Sequence, residues 1–201
     1  MAKIGLSNLI WAKLTEAQDG TPTYENPKSL GKAVSANVSI SNNSASLYAD
    51  NALAESDTSF QTGTITCGVD EDADAVFAEL LGHNIDEETG VVTKNSDDAP
   101  IWVGLGRIIT KMVAGVLYYK AEVLYKVKFA EPSQDDTTKG ESVEFATPEI
   151  EGTIATLGNG NWCTSKTCAT KADALAFINT TLGGSAQSSN AQGDAQGDAQ
   201  G

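Results

Sequence analysis

The run Val116–Phe129 is the feature that most constrains this chain. One alternate set of its residues is Tyr119, Ala121, Val123, Tyr125, Val127 and Phe129. The other is Tyr118, Lys120, Glu122, Leu124, Lys126 and Lys128. A period of two, apolar on one side and mostly charged on the other, is the pattern of a long half-buried strand. Glu131-Pro132 ends it, because proline cannot donate to a ladder. A polar loop, Ser133–Gly140, leads to a second extended run with Val143 and Phe145 on one side and Ser142 and Glu144 on the other. At Thr147-Pro148 the alternation slips to Ile150, Gly152 and Ile154, the mark of a bulge or an edge.

The remaining chain supplies more strands than helices. Residues 1–14 read as a first strand, with Leu9 and Trp11 opposite Ile10, Ala12 and Leu14. Thr15–Ser29, with Gly20, Pro22, Asn26 and Pro27, reads as a long loop. Leu30–Ile40 alternates as a strand. Ser41–Ser59 lacks periodicity apart from the island Leu47-Tyr48, and reads as a long loop or an interaction arm. Phe60–Val69 returns to strand. A helix over Ala73–Leu81 carries an apolar stripe of Val76, Phe77, Leu80 and Leu81, stopped by Gly82. A small hairpin turns at Glu88-Thr89-Gly90, and Ile101–Thr110 is a strand in which Gly104 and Gly106 mark a bend or a close backbone approach. Trp162–Cys168 is extended. Thr170-Lys-Ala-Asp173 opens a last helix that runs to about Leu182. Residues 184–201 close on an Ala-Gln-Gly-Asp repeat that cannot bury a core and read as a disordered tail.

Composition narrows the function. The chain has 201 residues and a net charge of −14, from 27 acids against 13 bases. Arg107 is the only arginine. A nucleic-acid-gripping protein wants a basic stripe, and this balance repels phosphate instead. The absence of a long apolar run predicts no transmembrane helix, and the N-terminus lacks the apolar core of a secretory signal, so synthesis in a cytoplasm is expected. His83 is the one histidine, placed just past a helix end, and reads as a capping or surface residue rather than a catalytic base. Cys67, Cys163 and Cys168 are too few for a disulfide framework and read as free thiols rather than zinc ligands. Asp70–Asp74 caps a helix and lacks the Gly and Glu of a calcium loop. No phosphate-binding glycine loop, HExxH or CxxC occurs. No enzyme, cofactor or metal is expected; a β-rich binding or assembly protein is.

Several stretches carry a resemblance: Met1-Ala-Lys-Ile-Gly-Leu6, Ser46-Leu-Tyr-Ala-Asp-Asn51, Gly68-Val-Asp70 leading to Ala78-Glu-Leu-Leu-Gly82, and, most of all, Leu124-Tyr-Lys-Val-Lys-Phe-Ala-Glu-Pro132 followed by Thr138–Pro148 and Ile150-Glu-Gly-Thr153. In order and content these resemble the major tail tube proteins of long, non-contractile-tailed phages of Gram-positive hosts, and the Thr170–Leu182 helix looks like that family's usual end. The resemblance covers most of residues 1–183; the Ala-Gln-Gly-Asp tail and the cysteine pair depart from it. It implies a mainly β fold, a β-sandwich or split barrel with a flanking helix and a C-terminal helix. It implies hexameric rings, joined sheet to sheet and stacked into a tube in the virion tail, that conduct DNA without specific binding. Tape-measure, tail-terminator and distal tail proteins would be its other partners, and no membrane is involved.

On that footing residues 1–157 form the tube domain, 158–183 a strand-helix extension and 184–201 the tail. Glu122, Glu144, Glu149 and Glu151 are the expected lumen acids, with Lys120, Lys126 and Lys128 spoiling a purely acidic face. Leu47, Tyr48, Asp50, Asn51 and Leu53 of the 41–59 arm are the expected contacts between rings. A carbohydrate-binding or adhesin-like β-sandwich is the alternative, resting on Trp11, Trp102, Trp162 and Tyr118 as exposed stacking platforms.

Overall fold

A computed structural model describes residues 2–49, 52–70, 74–86, 88–133 and 147–184. In chain order the elements are β1 (Ala2–Glu16), β2 (Pro22–Gly31), β3 (Ala33–Asn42), β4 (Ala45–Ala49), β5 (Ala52–Asp57), β6 (Phe60–Val69), α1 (Asp74–Leu81), β7 (Asn84–Ile85), β8 (Val92–Thr93), β9 (Trp102–Val113), β10 (Val116–Phe129), β11 (Glu149–Ile154), β12 (Cys163–Cys168) and α2 (Lys171–Thr181). Among the described residues the fold is mainly β, built on one main antiparallel sheet with two helices.

The main sheet runs β2-β1-β9-β10-β11-β6-β3. β10 lies inside it, against β9 along one edge. Its other edge is shared: Tyr119–Leu124 pair with β12, and Val127–Phe129 pair with Gly152–Ile154 of β11. A register shift between Leu124 and Val127 marks the changeover.

That bulge corrects the simple period-two reading of β10. An extra residue exchanges the two faces of a strand. Ala121 and Val123 belong to one apolar core, with Tyr119 and Tyr125 packed against it, while Val127 and Phe129 belong to the other. Both faces of β10 are therefore covered, and it has no freely exposed charged side.

The two cores lie on opposite faces of the sheet. One gathers Leu9, Trp11, Leu105, Leu124, Phe129 and Ile150 with Phe77, Leu80 and Leu81 of α1. The second places Ala174, Ile178 and Leu182, on and just after α2, over Ala12, Ile108, Ala121 and Val123. The alternation of β1 serves both, as its sequence predicted, with Leu9 and Trp11 facing one core and Ala12 and Leu14 the other. α2 starts on Thr170, whose hydroxyl accepts the Asp173 N–H at 3.1 Å and donates to the Asp173 carboxylate at 2.7 Å.

Two expected loops are strands. The 15–29 segment contains most of β2, because an edge strand tolerates Pro22 and Pro27 where a central one would not. The strand expected over Leu30–Ile40 is two: Gly31, at φ 141°, breaks it, so Leu30 and Gly31 close β2 and β3 follows from Ala33. The 41–59 arm is a β4–β5 hairpin that forms a sheet of its own. Its sequence hides this because serine, alanine and aspartate give no period. The second extended run around Val143 and Phe145, and the tail 185–201, lie outside the described residues.

Candidate assembly surfaces

Three features of the surface bear on function: an open seam, a hydroxyl-rich sheet face and the hairpin. The seam arises because the sheet curls until β3 comes back against β1. Among the described residues the two strands do not pair. Among the described residues the N-terminal half of β1 pairs only with β9, since β2 begins its pairing at Leu9, and β3 pairs only with β6. A cavity of about 320 Å³ lies between them, lined by Lys3, Ile4, Leu6, Val34, Ala36 and Arg107 among others.

Arg107 closes the inner end of the seam. Its Nε and Nη2 donate to Glu122 Oε2 at 3.0 and 2.7 Å, and its Nη1 donates across to the Ala36 carbonyl of β3 at 2.9 Å. Lys120 Nζ donates to the other Glu122 oxygen at 3.0 Å. Burial pushes the Glu122 carboxyl up, but Arg107 and Lys120 outweigh it and hold the group below its usual range. Beside it the Cys163 thiol is pushed up to about 11, first by burial and then by Glu122, so it stays protonated at neutral pH.

This arrangement separates the expected lumen acids. Glu122 points inward, its side chain only 14% exposed and neutralised by two cations. Glu149 and Glu151 are exposed on the face opposite the core residues Ile150 and Ile154. Glu144 lies outside the described residues. Around Glu149 and Glu151 the sheet face continues with Thr153, then Thr64 and Thr66 of β6, then Asn37 and Ser39 of β3. On these three strands that face carries hydroxyls, an amide and two carboxylates, and no base. Lys126 and Lys128 sit apart over the Trp102 ring, at 5.1 and 5.4 Å from its centre, and Lys126 is paired with Glu16 at 2.5 Å.

In the β4–β5 hairpin Tyr48 stands opposite Leu53 in register. Asn43 closes its base, donating from its backbone N–H to the Ser59 carbonyl at 2.8 Å and from its side chain to the Ser59 hydroxyl at 2.9 Å. Leu47 lies on the same strand as Tyr48; Asp50 and Asn51 lie outside the described residues.

No known protein family's profile matches the chain, and no curated protein sequence does.

Large apolar side chains are exposed near the seam. Ile4 and Val34 flank it, and Met112, Val116 and Leu117 crowd the tip of the β9–β10 hairpin, where Met112 stands opposite Ala2. The sequence hinted at none of this clustering, because the residues come from four separate strands. The aromatic platforms are less available than expected. Trp11 is 1% exposed in the core, since it faces inward on β1, and Trp162 is stacked on Phe60 with ring centres 4.7 Å apart.

Proposed function

We propose that this chain is a structural subunit that polymerises into the tail tube of a long, non-contractile-tailed phage, as stacked hexameric rings joined through their sheets, with a split-barrel fold as its frame. The observation that carries this reading is the pair of strand edges at the β1–β3 seam that are open among the described residues and bordered by exposed apolar side chains. An unpaired edge with apolar neighbours is an aggregation hazard in a monomer and a joining surface in an assembly. Other sequence features agree. The Leu124–Pro132 and Thr138–Pro148 stretches resemble that family, and the acidic balance suits a channel through which DNA slides without sticking.

Within this reading the β3–β6–β11 face, with Glu149 and Glu151, lines the lumen, where the carboxylates repel phosphate and no base stands among the hydroxyls to hold it. The β4–β5 hairpin, with Leu47, Tyr48 and Leu53, reaches the next ring. A two-stranded hairpin is marginal by itself and gains from a neighbour. The partners are then further copies of the chain, tape-measure, terminator and distal tail proteins, and DNA in transit, in the virion.

Electron microscopy of the concentrated protein tests the proposal: rings or tubes with a central hole are expected, and persistent monomers would overturn it. Deleting Ser44–Glu55 is expected to leave folded subunits that no longer extend into tubes. Tubes of unchanged length would remove the hairpin from the contact between rings.

A further inference from the structure

The chain's single histidine caps α1 through its backbone, whose N–H donates to the Ala78 carbonyl at 2.8 Å, but its side chain is turned away from the open surface. His83 follows α1, and its side chain is only 8% exposed. Ring Nδ1 lies 2.7 Å from Asp98 Oδ2, and Nε2 lies 2.9 Å from Glu131 Oε2. A neutral imidazole has one N–H donor and one lone pair. With a carboxylate oxygen against each nitrogen, the neutral ring would set a lone pair against an anion. Only the doubly protonated ring donates at both ends.

Each carboxylate is also positioned by another group. The Asn95 N–H donates to Asp98 Oδ2 at 2.8 Å, and Lys94 pairs with the second oxygen of Glu131. Asp74 of α1 lines the same cavity of about 330 Å³, whose apolar wall includes Phe77, Leu81 and Val92. Among the described residues the charged groups facing the ring's surroundings are therefore Asp98, Glu131, Lys94 and Asp74. They come from the 94–98 turn, the exit of β10 and α1. Glu131 stands where the chain leaves β10 on its way to β11.

We propose that His83 is a proton-operated fastener, which ties the end of α1 and the 94–98 turn to the exit of β10 while its ring is doubly protonated, and lets that exit go when the proton leaves. This inference does not depend on the tube reading. The Asp98 hydrogen bond raises the affinity of the ring for its proton, burial opposes it, and Glu131 adds to the rise. A raised histidine contributes stability that is complete below its ordinary value of 6.5 and is lost as pH climbs through the folded value. Asp98 is held low first by the Asn95 N–H and then by His83, and Glu131 first by Lys94. Their contribution is present above ordinary carboxylate values and is lost as pH falls through the lowered ones. The fastener is closed between those limits and opens on the alkaline side.

One histidine gives a single Hε1 and a single Hδ2 resonance, so a pH titration of the full chain by NMR reads the fastener directly. The midpoint is expected above that of a free histidine, and Glu131→Gln and Asp98→Asn are each expected to lower it. A midpoint at or below the free value, or one that neither substitution moves, would overturn the proposal. The stability difference between the native chain and His83→Gln supplies a second reading. It should shrink from pH 6 towards pH 9, as about one unit or more above the midpoint removes most of the protonated form. A difference that holds constant across that range counts against the fastener.

Discussion

Arg107→Ala is expected to destabilise the fold by about 3 kcal/mol in urea unfolding at neutral pH, the low end of what breaking a buried ion pair costs. Arg107 is 8% exposed and donates hydrogen bonds to the Glu122 carboxylate and, across the seam, to the Ala36 carbonyl. Its removal leaves a carboxylate that burial disfavours, with Lys120 and the weakly donating Cys163 thiol as its remaining partners among the described residues. Glu122→Leu combined with Arg107→Leu should recover much of the loss, because an apolar pair of similar volume often replaces a buried ion pair at little cost. The sign with pH follows from Glu122. In the native chain its carboxyl is held low, so its stabilising contribution persists above 4.5 and is lost as pH falls through the lowered value. Without Arg107 that depression goes, and the deficit of Arg107→Ala should narrow as pH drops below about 4.5. A loss under about 1 kcal/mol at neutral pH would show that the cluster is surface-like in its energetics.

Gly106→Val is expected to cost about 3 kcal/mol and to loosen α2 from the sheet, the upper part of the usual range for overpacking a core. A β-carbon at Gly106 would stand 2.4 Å from Ile178 Cγ2, and one at Gly104 would stand 2.5 Å from Tyr24 Cε1 and 2.6 Å from Leu182 Cδ2. The two glycines are a floor on which Tyr24, Ile178 and Leu182 rest; Ile178 and Leu182 are fully buried. Hydrogen exchange should report faster opening of α2 amides while the β6 and β11 amides keep their protection. Ile178→Ala alone opens a cavity and costs roughly 2–5 kcal/mol. Combined with Gly106→Val it should cost less than the sum, because each change relieves the other. Strict additivity would mean that the helix and the strand do not meet where the geometry puts them.

Several of these features are legible before any coordinates. The alternation of Leu9–Leu14 in β1, the stripe Phe77, Leu80 and Leu81 on α1 and the Thr170–Asp173 cap on α2 are local patterns, and each element forms as they predict. Gly104 and Gly106 announce a close approach, though not that α2 makes it. Other elements are hidden for physical reasons. β2 carries prolines that are admissible only because it is an edge, and edge status is a property of the whole sheet. β4 and β5 show no alternation in their sequence, and among the described residues they pair with each other alone. The candidate site divides in the same way. Glu149 and Glu151 keep the outward side their spacing implies, whereas Glu122 turns inward to Arg107, its register partner on β9.

The sequence alone therefore determines a β-rich chain, with a long strand at Val116–Phe129, two short helices and an acidic balance, because these follow from periodicity, capping and composition. The tertiary structure decides which side of each strand meets water, since that depends on the bulge, on the helix laid over Gly104 and Gly106, and on strands brought back to the seam from far along the chain. It also decides the protonation of His83, because two carboxylates distant in sequence converge on one ring only when the chain is folded.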